Sequence, residues 1–324
     1  MVAGRSASFA RHFLGTHFFN PPRYLKLVEL IPTSHTLPEV TSFMHDFLEK
    51  VLGKGVVLAR DTPNFIANRI GVYGLMVTLE AMQQGGYTIG EVDSVTGPAL
   101  GRPKSATFGT LDMVGLDTFL HVAEHMYEQV EEEKEKAAFI IPGFLKEMVE
   151  RNWLGQKTGQ GFYKRIKGAR GTDTLELDLN TWEYRPVQGL KSASLERSKG
   201  TPDLAKTLPS LIYAEDRAGW LAWQVTKRVL LYSASRLEEI ADDLVSIDRA
   251  MKWGFGWELG PFEIWDLIGV ERSLARMKAE GEPIPSWVEE MLAQGKDSFY
   301  QQKAGKRLYF SMGVYHKLET RSEE

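Results

Sequence analysis

A histidine and a glutamate twelve residues apart carry the side chains best suited to acid–base chemistry in this sequence. His17 stands in the stretch GTHFFNPPRYLKLVEL, and Glu29 lies near its end among apolar residues. A carboxylate that faces one imidazole nitrogen fixes the tautomer and stabilises the imidazolium, so the other nitrogen can accept a proton. A carboxylate among apolar side chains also needs a partner. The two residues predict a general-base dyad; the alternative is a core histidine bonded to neighbouring backbone.

Two short strands must bring these side chains together. The residues before and after the Asn20-Pro21-Pro22 corner are extended and apolar, which predicts two strands in a hairpin-like or neighbouring arrangement. His17 lies on the first strand and Glu29 on the second. The imidazole and the carboxylate then come within hydrogen-bond reach.

A helix and a third strand follow this pair. Thr36 and Glu39 have the spacing of a capping box, Gly53 ends the helix, and Gly55–Arg60 is short and β-branched, as in a buried strand. One apolar stripe at helical spacing runs along the helix through Val40, Phe43, Met44, Phe47, Leu48, Val51 and Leu52. Strand, helix and strand in so little chain predict the tail of an α/β sheet.

The middle of the chain is predicted to be helical. NFIANRIGVYGLMVTLEAMQQ is apolar on most faces, as in a helix buried in a bundle, and Thr88 with Glu91 forms a second capping-box pattern. The segment GQKTGQGFYK predicts a turn and short extended chain. Residues 165–209 are polar, with a small hairpin at TLELDLNTWEYRPV. Helices resume at Ile212, and the end, DSFYQQKAGKRLYFSMGVYHKL, predicts strands around an Ala-Gly-Lys turn.

An internal repeat relates the two helical regions. Four positions recur with an offset of 154: Phe108, Asp112, Gly115 and Asp117 match Phe262, Asp266, Gly269 and Glu271. Upstream, Val92-Asp93 matches Ile247-Asp248 with an offset of 155. The pattern predicts two copies of one helical module that pack face to face, as the halves of a symmetric dimer do. The alternative is chance recurrence of common helix-and-turn punctuation.

Composition and motifs exclude several classes of protein. The net charge of −4 gives no electrostatic footprint for nucleic acid, and the sequence has no cysteine and no apolar run long enough to span a membrane. We therefore expect a soluble cytoplasmic protein. No metal site is predicted, because His121 and His125, one helical turn apart, suit a solvated helix face better. Neither G-x-S-x-G nor G-x-G-x-x-G occurs.

Three long motifs resemble one enzyme family. GTHFFNPPRYLKLVEL resembles the signature of the L-3-hydroxyacyl-CoA dehydrogenases of fatty-acid β-oxidation, and DTPNFIANRIG resembles the segment that opens their helical C-terminal domain. GQKTGQGFYK is similar to the end of that domain. The resemblance covers nearly the whole chain and extends to the tandem helical domains of multifunctional β-oxidation proteins. It is strongest to bacterial fusions in which a hydratase domain follows the dehydrogenase.

The resemblance implies roles for five residues. His17 would be the general base that takes the proton of the substrate 3-hydroxyl as hydride passes from C3 to NAD, and Glu29 would orient it. Asn68 would hydrogen-bond the substrate, Asn20 would shape the same pocket, and Lys157 would contact the dinucleotide. The alternatives are a capping or core amide for Asn68, a turn residue for Asn20 and a solvated loop lysine for Lys157.

The resemblance also implies the architecture. We expect a mainly α protein: the C-terminal part of a dinucleotide-binding Rossmann domain at 1–60, a helical domain at 61–165, a linker with a small hairpin at 166–208, and a second helical domain with a terminal β segment at 209–324. The glycine-rich turn that cradles the pyrophosphate in this family is absent from the sequence. We therefore expect a chain truncated at its N-terminus.

The predicted function is that of an NAD-dependent L-3-hydroxyacyl-CoA dehydrogenase with a His/Glu base. We expect little or no activity from the chain alone, since binding and positioning of the cofactor are the protein's main duties in hydride transfer. The resemblance implies an acyl-CoA substrate, a fused or associated enoyl-CoA hydratase domain and a thiolase partner. The alternative is a non-catalytic scaffold that binds acyl-CoA or a partner. His17, Glu29 and Asn68 favour the enzyme, and the missing cofactor residues favour the scaffold.

Overall fold

A computed structural model of the chain describes residues 4–168, 171–199 and 203–318, and it is mainly helical, as expected. The helices are α1 (Ala7–Arg11), α2 (Pro38–Asp46), α3 (Ala67–Gly85), α4 (Ile89–Thr96), α5 (Phe108–Val114), α6 (Leu116–Gln129), α7 (Glu133–Ala137), α8 (Gly143–Glu150), α9 (Ala193–Lys199), α10 (Leu204–Ile212), α11 (Arg217–Ile240), α12 (Leu244–Phe255), α13 (Pro261–Ile268), α14 (Val270–Ala279) and α15 (Ser286–Ala293). The strands are β1 (Leu14–Phe18), β2 (Leu27–Pro32), β3 (Gly55–Leu58), β4 (Tyr163–Gly168), β5 (Gly171–Leu177), β6 (Tyr184–Pro186), β7 (Tyr300–Lys303), β8 (Lys306–Ser311) and β9 (Val314–Lys317). They form three separate three-stranded sheets, β1-β2-β3, β4-β5-β6 and β7-β8-β9.

The chain divides into two compact units, one of which is built from two separate stretches of the sequence. One unit comprises the described residues up to Ile70 together with those from Leu230 onward, and the other is Gly71–Val229. Helices α3 and α11 each belong in part to both units, because the boundaries fall inside them. The predicted domain boundaries at residues 60, 165 and 208 stay predictions.

The first sheet has the order and directions that a strand, helix, strand tail requires. Strand β1 pairs antiparallel with β2, and β3 pairs parallel with β2 on its other edge. The parallel pair needs a crossover, and α2 provides it. The central strand is buried from Leu27 to Ile31, which explains its nearly continuous apolar sequence.

The predicted capping box at the start of α2 is wrong. The helix begins at Pro38, and the cap residue Leu37 makes no side-chain capping bond. The Thr36 hydroxyl instead donates to the carbonyl of Phe13 at 2.5 Å and accepts the amide of Thr33 at 2.8 Å. Proline at the first helical position has its φ angle already set for a helix, so the helix starts without a polar cap.

The apolar stripe, which runs along α2 and the π-helical turn Phe47–Val51 that continues it, is less buried than its pattern predicts. Met44 and Leu48 pack against the sheet residues Val28 and Leu30. The large side chains to either side face solvent; the exposed fractions are Phe43 68%, Phe47 38%, Val51 68% and Leu52 46%. A sheet of three strands covers one edge of the stripe, and the rest of the stripe is only partly covered by the described residues.

In the first helical module, two aspartates tie the helices to the following hairpin. Asp93 accepts the amide of Phe108 at 2.8 Å and the phenol of Tyr163 at 2.8 Å. Asp112 accepts the amides of Phe162 and Tyr163 at 2.9 and 2.8 Å. The two repeated aspartates therefore fix the loop before α5 and the start of β4.

The second module, defined here as α12 to β9, has the same contacts at the matching positions. Asp248 accepts the amide of Phe262 at 2.9 Å and the phenol of Tyr300 at 2.7 Å. Asp266 accepts the amides of Phe299 and Tyr300 at 2.6 and 2.8 Å. The residues that recur in the sequence are thus those that hold each module together.

The polar segment after the first module has more regular structure than a linker. The predicted hairpin is present as β5 and β6, but β5 also pairs with β4 over all its residues except Leu177, and α9 follows. Most of β5 is exposed, and its composition is polar. The sequence therefore gives no signal that β5 pairs with β4. The predicted C-terminal strands are confirmed as β7, β8 and β9.

Within the described ranges no helix combines the length and the apolar character that a membrane crossing requires.

Candidate active site

The register of β1 and β2 places His17 directly opposite Glu29. The imidazole Nδ1 lies 2.6 Å from Oε2 of the carboxylate. Glu29 is fully buried, whereas the His17 side chain is 29% exposed. A carboxylate only accepts, so Nδ1 carries the hydrogen and Nε2 keeps its lone pair. The alternative of a core histidine bonded to backbone is wrong, because the partner is a side-chain carboxylate.

The second oxygen of Glu29 is held by the start of α3. Oε1 accepts the amides of Ile66 and Ala67 at 3.0 and 2.8 Å. Free amides and the positive end of the helix dipole both favour a negative charge there. The sequence signals that Glu29 needs partners, but it does not identify backbone amides 37 and 38 residues away. These amides complete the set of groups that hold the carboxylate.

Two aromatic rings border the imidazole. The ring centroids of Phe19 and Phe65 lie 4.7 and 5.5 Å from that of His17. Phe65 and its neighbour Asn64 have left-handed backbone angles, with φ of 53° and 59°. This conformation costs about 1–2 kcal/mol for a residue with a side chain, and such residues cluster at functional sites. The left-handed turn leads the chain into α3. As a result the Phe65 ring contacts His17, and the next two backbone amides hydrogen-bond to Glu29.

Of the two candidate asparagines, Asn20 lies between His17 and Glu29 along the chain, and Asn68 follows both of them. Asn68 is half-buried in the first turn of α3, one residue after the Ala67 amide that binds Glu29. Asn20 is exposed at the corner after β1. Within the described ranges neither asparagine hydrogen-bonds to His17 or Glu29. The structure therefore brings His17, Glu29 and the first turn of α3 together, and it leaves Asn20 at the surface.

Lys157 has a local partner in the other compact unit. Its ammonium forms an ion pair with Asp117, and both side chains are nearly half exposed. The hydrogen bond from this ammonium holds the pKa of the Asp117 carboxyl below its ordinary value. An exposed ion pair of this kind contributes little to stability. The described contacts of Lys157 fit a solvated loop as well as they fit a ligand contact.

Comparison with family models matches both parts of the chain. The model described as "3-hydroxyacyl-CoA dehydrogenase, C-terminal domain" matches residues 65–165 and again residues 225–311. The model described as "3-hydroxyacyl-CoA dehydrogenase, NAD binding domain" matches residues 4–62. The expectation of an N-terminally truncated chain is corrected by this match, because the family's NAD-binding domain is represented here.

Individual relatives agree with these matches. A protein of Bacillus subtilis that carries the name "Probable 3-hydroxyacyl-CoA dehydrogenase" is 53% identical over 98% of this chain and 40% of its own length. The human mitochondrial hydroxyacyl-coenzyme A dehydrogenase is 37% identical over 47% of this chain and 47% of its own. The chain thus spans less than half the length of these curated relatives.

A solved structure shares the fold. The crystal structure of 3-hydroxybutyryl-CoA dehydrogenase from Escherichia coli aligns with 88% of this chain and 71% of its own, with a TM-score of 0.59 and 20% identity. At that identity the likeness concerns the fold alone.

Proposed function

The chain belongs to the 3-hydroxyacyl-CoA dehydrogenase family. On that premise we propose that it carries the general base that deprotonates the substrate in an NAD-dependent L-3-hydroxyacyl-CoA dehydrogenase. The observation that supports this proposal is the double anchorage of Glu29, between His17 Nδ1 and the first amides of α3. A histidine held in one tautomer beside a buried carboxylate is the arrangement that general-base catalysis requires.

In this proposal His17 takes the proton of the substrate 3-hydroxyl on Nε2. The imidazolium that forms is stabilised by Glu29, which does not take up the proton itself. The amides of Ile66 and Ala67 keep the carboxylate oriented throughout, since backbone donors fixed by a helix need no rearrangement during the reaction. NAD, when bound, accepts the hydride from C3.

We assign only part of an NAD site to the residues that match the NAD-binding domain. Residues 4–62 contain the dyad but no G-x-G-x-x-G turn, so we assign no residue of this chain to the pyrophosphate. Lys157 is proposed as a contact to the dinucleotide. Because the glycine-rich turn is missing, we propose that the chain by itself is weakly active or inactive.

We propose substrate-contact roles for the two asparagines. Asn68, in the first turn of α3, would hydrogen-bond the substrate near the reacting carbon, close to the dyad. Asn20, exposed at the corner after β1, would shape the edge of the same pocket. Both proposals rest on position, since Asn20 follows the strand that carries His17 and Asn68 follows the amides that bind Glu29.

We propose that the two helical modules are copies, and that only the first is equipped for catalysis. The matching aspartate contacts support the duplication. Counting 154 residues from Asn68 reaches Ala222, whose side chain cannot hydrogen-bond.

We also propose a fused hydratase domain and a thiolase partner. A relative from Rickettsia felis, 31% identical over 78% of this chain, is named as a fatty acid oxidation complex trifunctional enzyme.

A scaffold that binds acyl-CoA without oxidising it is the second candidate function. One observation favours it, namely the absence of a glycine-rich turn from the sequence. A scaffold, however, gives no reason for the burial of Glu29 between a histidine and two amides.

The test is an assay of the chain with acetoacetyl-CoA and NADH, together with a fluorescence titration of NADH. We expect saturable acetoacetyl-CoA binding and a slow oxidation of NADH that His17→Gln abolishes. His121→Gln, at an exposed position on α6, is the matched control and should retain the rate. Saturable binding of both NADH and acetoacetyl-CoA without any oxidation would favour the scaffold, because the cofactor would then be present and unused. Oxidation that is equal in His17→Gln and the unmodified chain would refute the proposal.

A further inference from the structure

The second module lies against the sheet that carries His17. Helix α12 packs on β2 and β3, and glycines at two places allow the close approach. A Cβ added to Gly254 would lie 2.6 Å from Cδ2 of the buried Leu27 and 3.4 Å from the Phe19 ring. A Cβ added to Gly55 would lie 2.4 Å from the Trp253 ring. The two surfaces therefore fit closely only with glycine at both positions.

An uninterrupted series of ring contacts runs from α12 to the imidazole. The centroids of His17 and Phe19 are 4.7 Å apart, and those of Phe19 and Phe255 are 6.2 Å apart in an edge arrangement. Phe255 is the last residue of α12, and Gly256 ends the helix in the left-handed conformation with φ of 67°. The helix end thus fixes where the Phe255 ring stands, and the burial of Phe19 leaves that ring little room.

These rings restrain a motion that the Glu29 hydrogen bond does not. The bond at Nδ1 fixes one point of the imidazole, whereas the ring can still tilt about that point. Contacts of Phe19 and Phe65 with the imidazole oppose the tilt. The turn before α3 fixes Phe65. Phe19 contacts His17 and also packs against Phe255.

We propose that Phe255 of the second module is a positioning residue, which holds Phe19 against His17 and so aims the Nε2 lone pair. The catalytic meaning of this role rests on the proposed function of His17. In this proposal the second module keeps the site of the first in working geometry although it carries no dyad of its own. A displacement of about 1 Å at a catalytic group can cost on the order of 10²-fold in rate, so a remote ring can affect turnover.

The test observes the imidazole directly. Proton–carbon and long-range proton–nitrogen NMR spectra of the whole chain are recorded at pH 8, and the His17 signals are assigned from their loss in His17→Gln. The unmodified chain should show the Nδ1–H tautomer and ring-current shifts from the neighbouring phenylalanines. Phe255→Ala should move the His17 proton signals toward their values in an unstructured peptide, while the Nδ1–H tautomer, which Glu29 fixes, should stay. The single variant Phe255→Leu, whose larger side chain can still contact Phe19, should keep the His17 signals close to their positions in the unmodified chain.

Phe310→Ala is the matched control. Phe310 is a buried ring of the same module that stacks on Trp287, with centroids 6.3 Å apart. We expect it to lower stability and leave the His17 signals in place. Equal His17 signals in Phe255→Ala and the unmodified chain would overturn the proposal, as would an equal shift in Phe310→Ala. Where Phe255→Ala does not fold, Phe255→Val, which also shortens the side chain, takes its place, and the same two results would overturn the proposal.

A rate measurement separates this proposal from the proposed function. If the chain oxidises NADH, Phe255→Ala should lower kcat about 10-fold or more with little change in KM. His17 signals that move in Phe255→Ala, combined with full activity of His17→Gln, would uphold the positioning role and refute the proposed function.

Discussion

Glu29 is the side chain at which two distant parts of the chain meet. One oxygen binds His17 on the neighbouring strand and the other binds the first amides of α3. The buried carboxylate accepts from three donors, an imidazole and two backbone amides. Removal of any of these partners would cost stability, because it leaves a buried polar group unsatisfied. The residue therefore affects both the fold and the proposed chemistry.

Glu29→Gln is expected to separate these two effects. The amide can still accept from the Ile66 and Ala67 amides, but its NH₂ group would face His17 and favour the wrong tautomer. We expect kcat to fall by about 10²–10⁴, with a smaller change in KM and a folded chain. Steady-state rates and circular dichroism provide the measurement. The control is Glu49→Gln, and unchanged kcat in Glu29→Gln would contradict the assignment.

The elements around the site illustrate which features a sequence can predict. The β1–β2 pairing and the Thr88 capping box are confirmed, because short-range patterns determine both. The capping box at Thr36 is wrong, because its hydroxyl is bound by a carbonyl 23 residues away. The amides that hold Glu29 have no side-chain signature at all. Long-range polar contacts were thus the part that local patterns did not reveal.

The left-handed turn before α3 gives a prediction at the scale of the element. Asn64 has φ of 59°, which asparagine and glycine tolerate and a β-branched residue does not. Asn64→Gly should change the free energy of unfolding by less than about 1 kcal/mol, whereas Asn64→Val should lower it by about 1–3 kcal/mol. Urea titrations of both variants decide this. Equal stability of the two variants would show that the turn is not strained.

At the scale of the whole molecule, the duplicated aspartates couple stability to pH. Burial raises the pKa of Asp93 and of Asp112 to about 6, and that of Asp266 to about 7, although backbone amides oppose the shift in each case. A carboxyl whose pKa is raised on folding binds its proton more tightly in the folded state. Each therefore adds stability at low pH, and this contribution is lost as the pH rises through the folded-state pKa.

Asp266→Asn tests this dependence. Asparagine cannot ionise, so the variant loses the pH-dependent contribution between about pH 4 and 7 together with one acceptor. We expect its deficit in unfolding free energy to be larger at pH 5 than at pH 8 by at least about 1 kcal/mol. Urea midpoints at the two pH values give the comparison, with the exposed Asp173→Asn as control. A deficit that is the same at both values would argue against the raised pKa.

The exchange rates of the amide hydrogens bound to Glu29 also report how long the site stays assembled. A backbone N–H that is buried and hydrogen-bonded exchanges with deuterium only when its surroundings open. The signals of Ile66 and Ala67 should therefore disappear together, at the rate at which α3 separates from the carboxylate. The lifetime of the assembled dyad thus becomes a quantity that can be read in heavy water, with no substrate, no cofactor and no turnover.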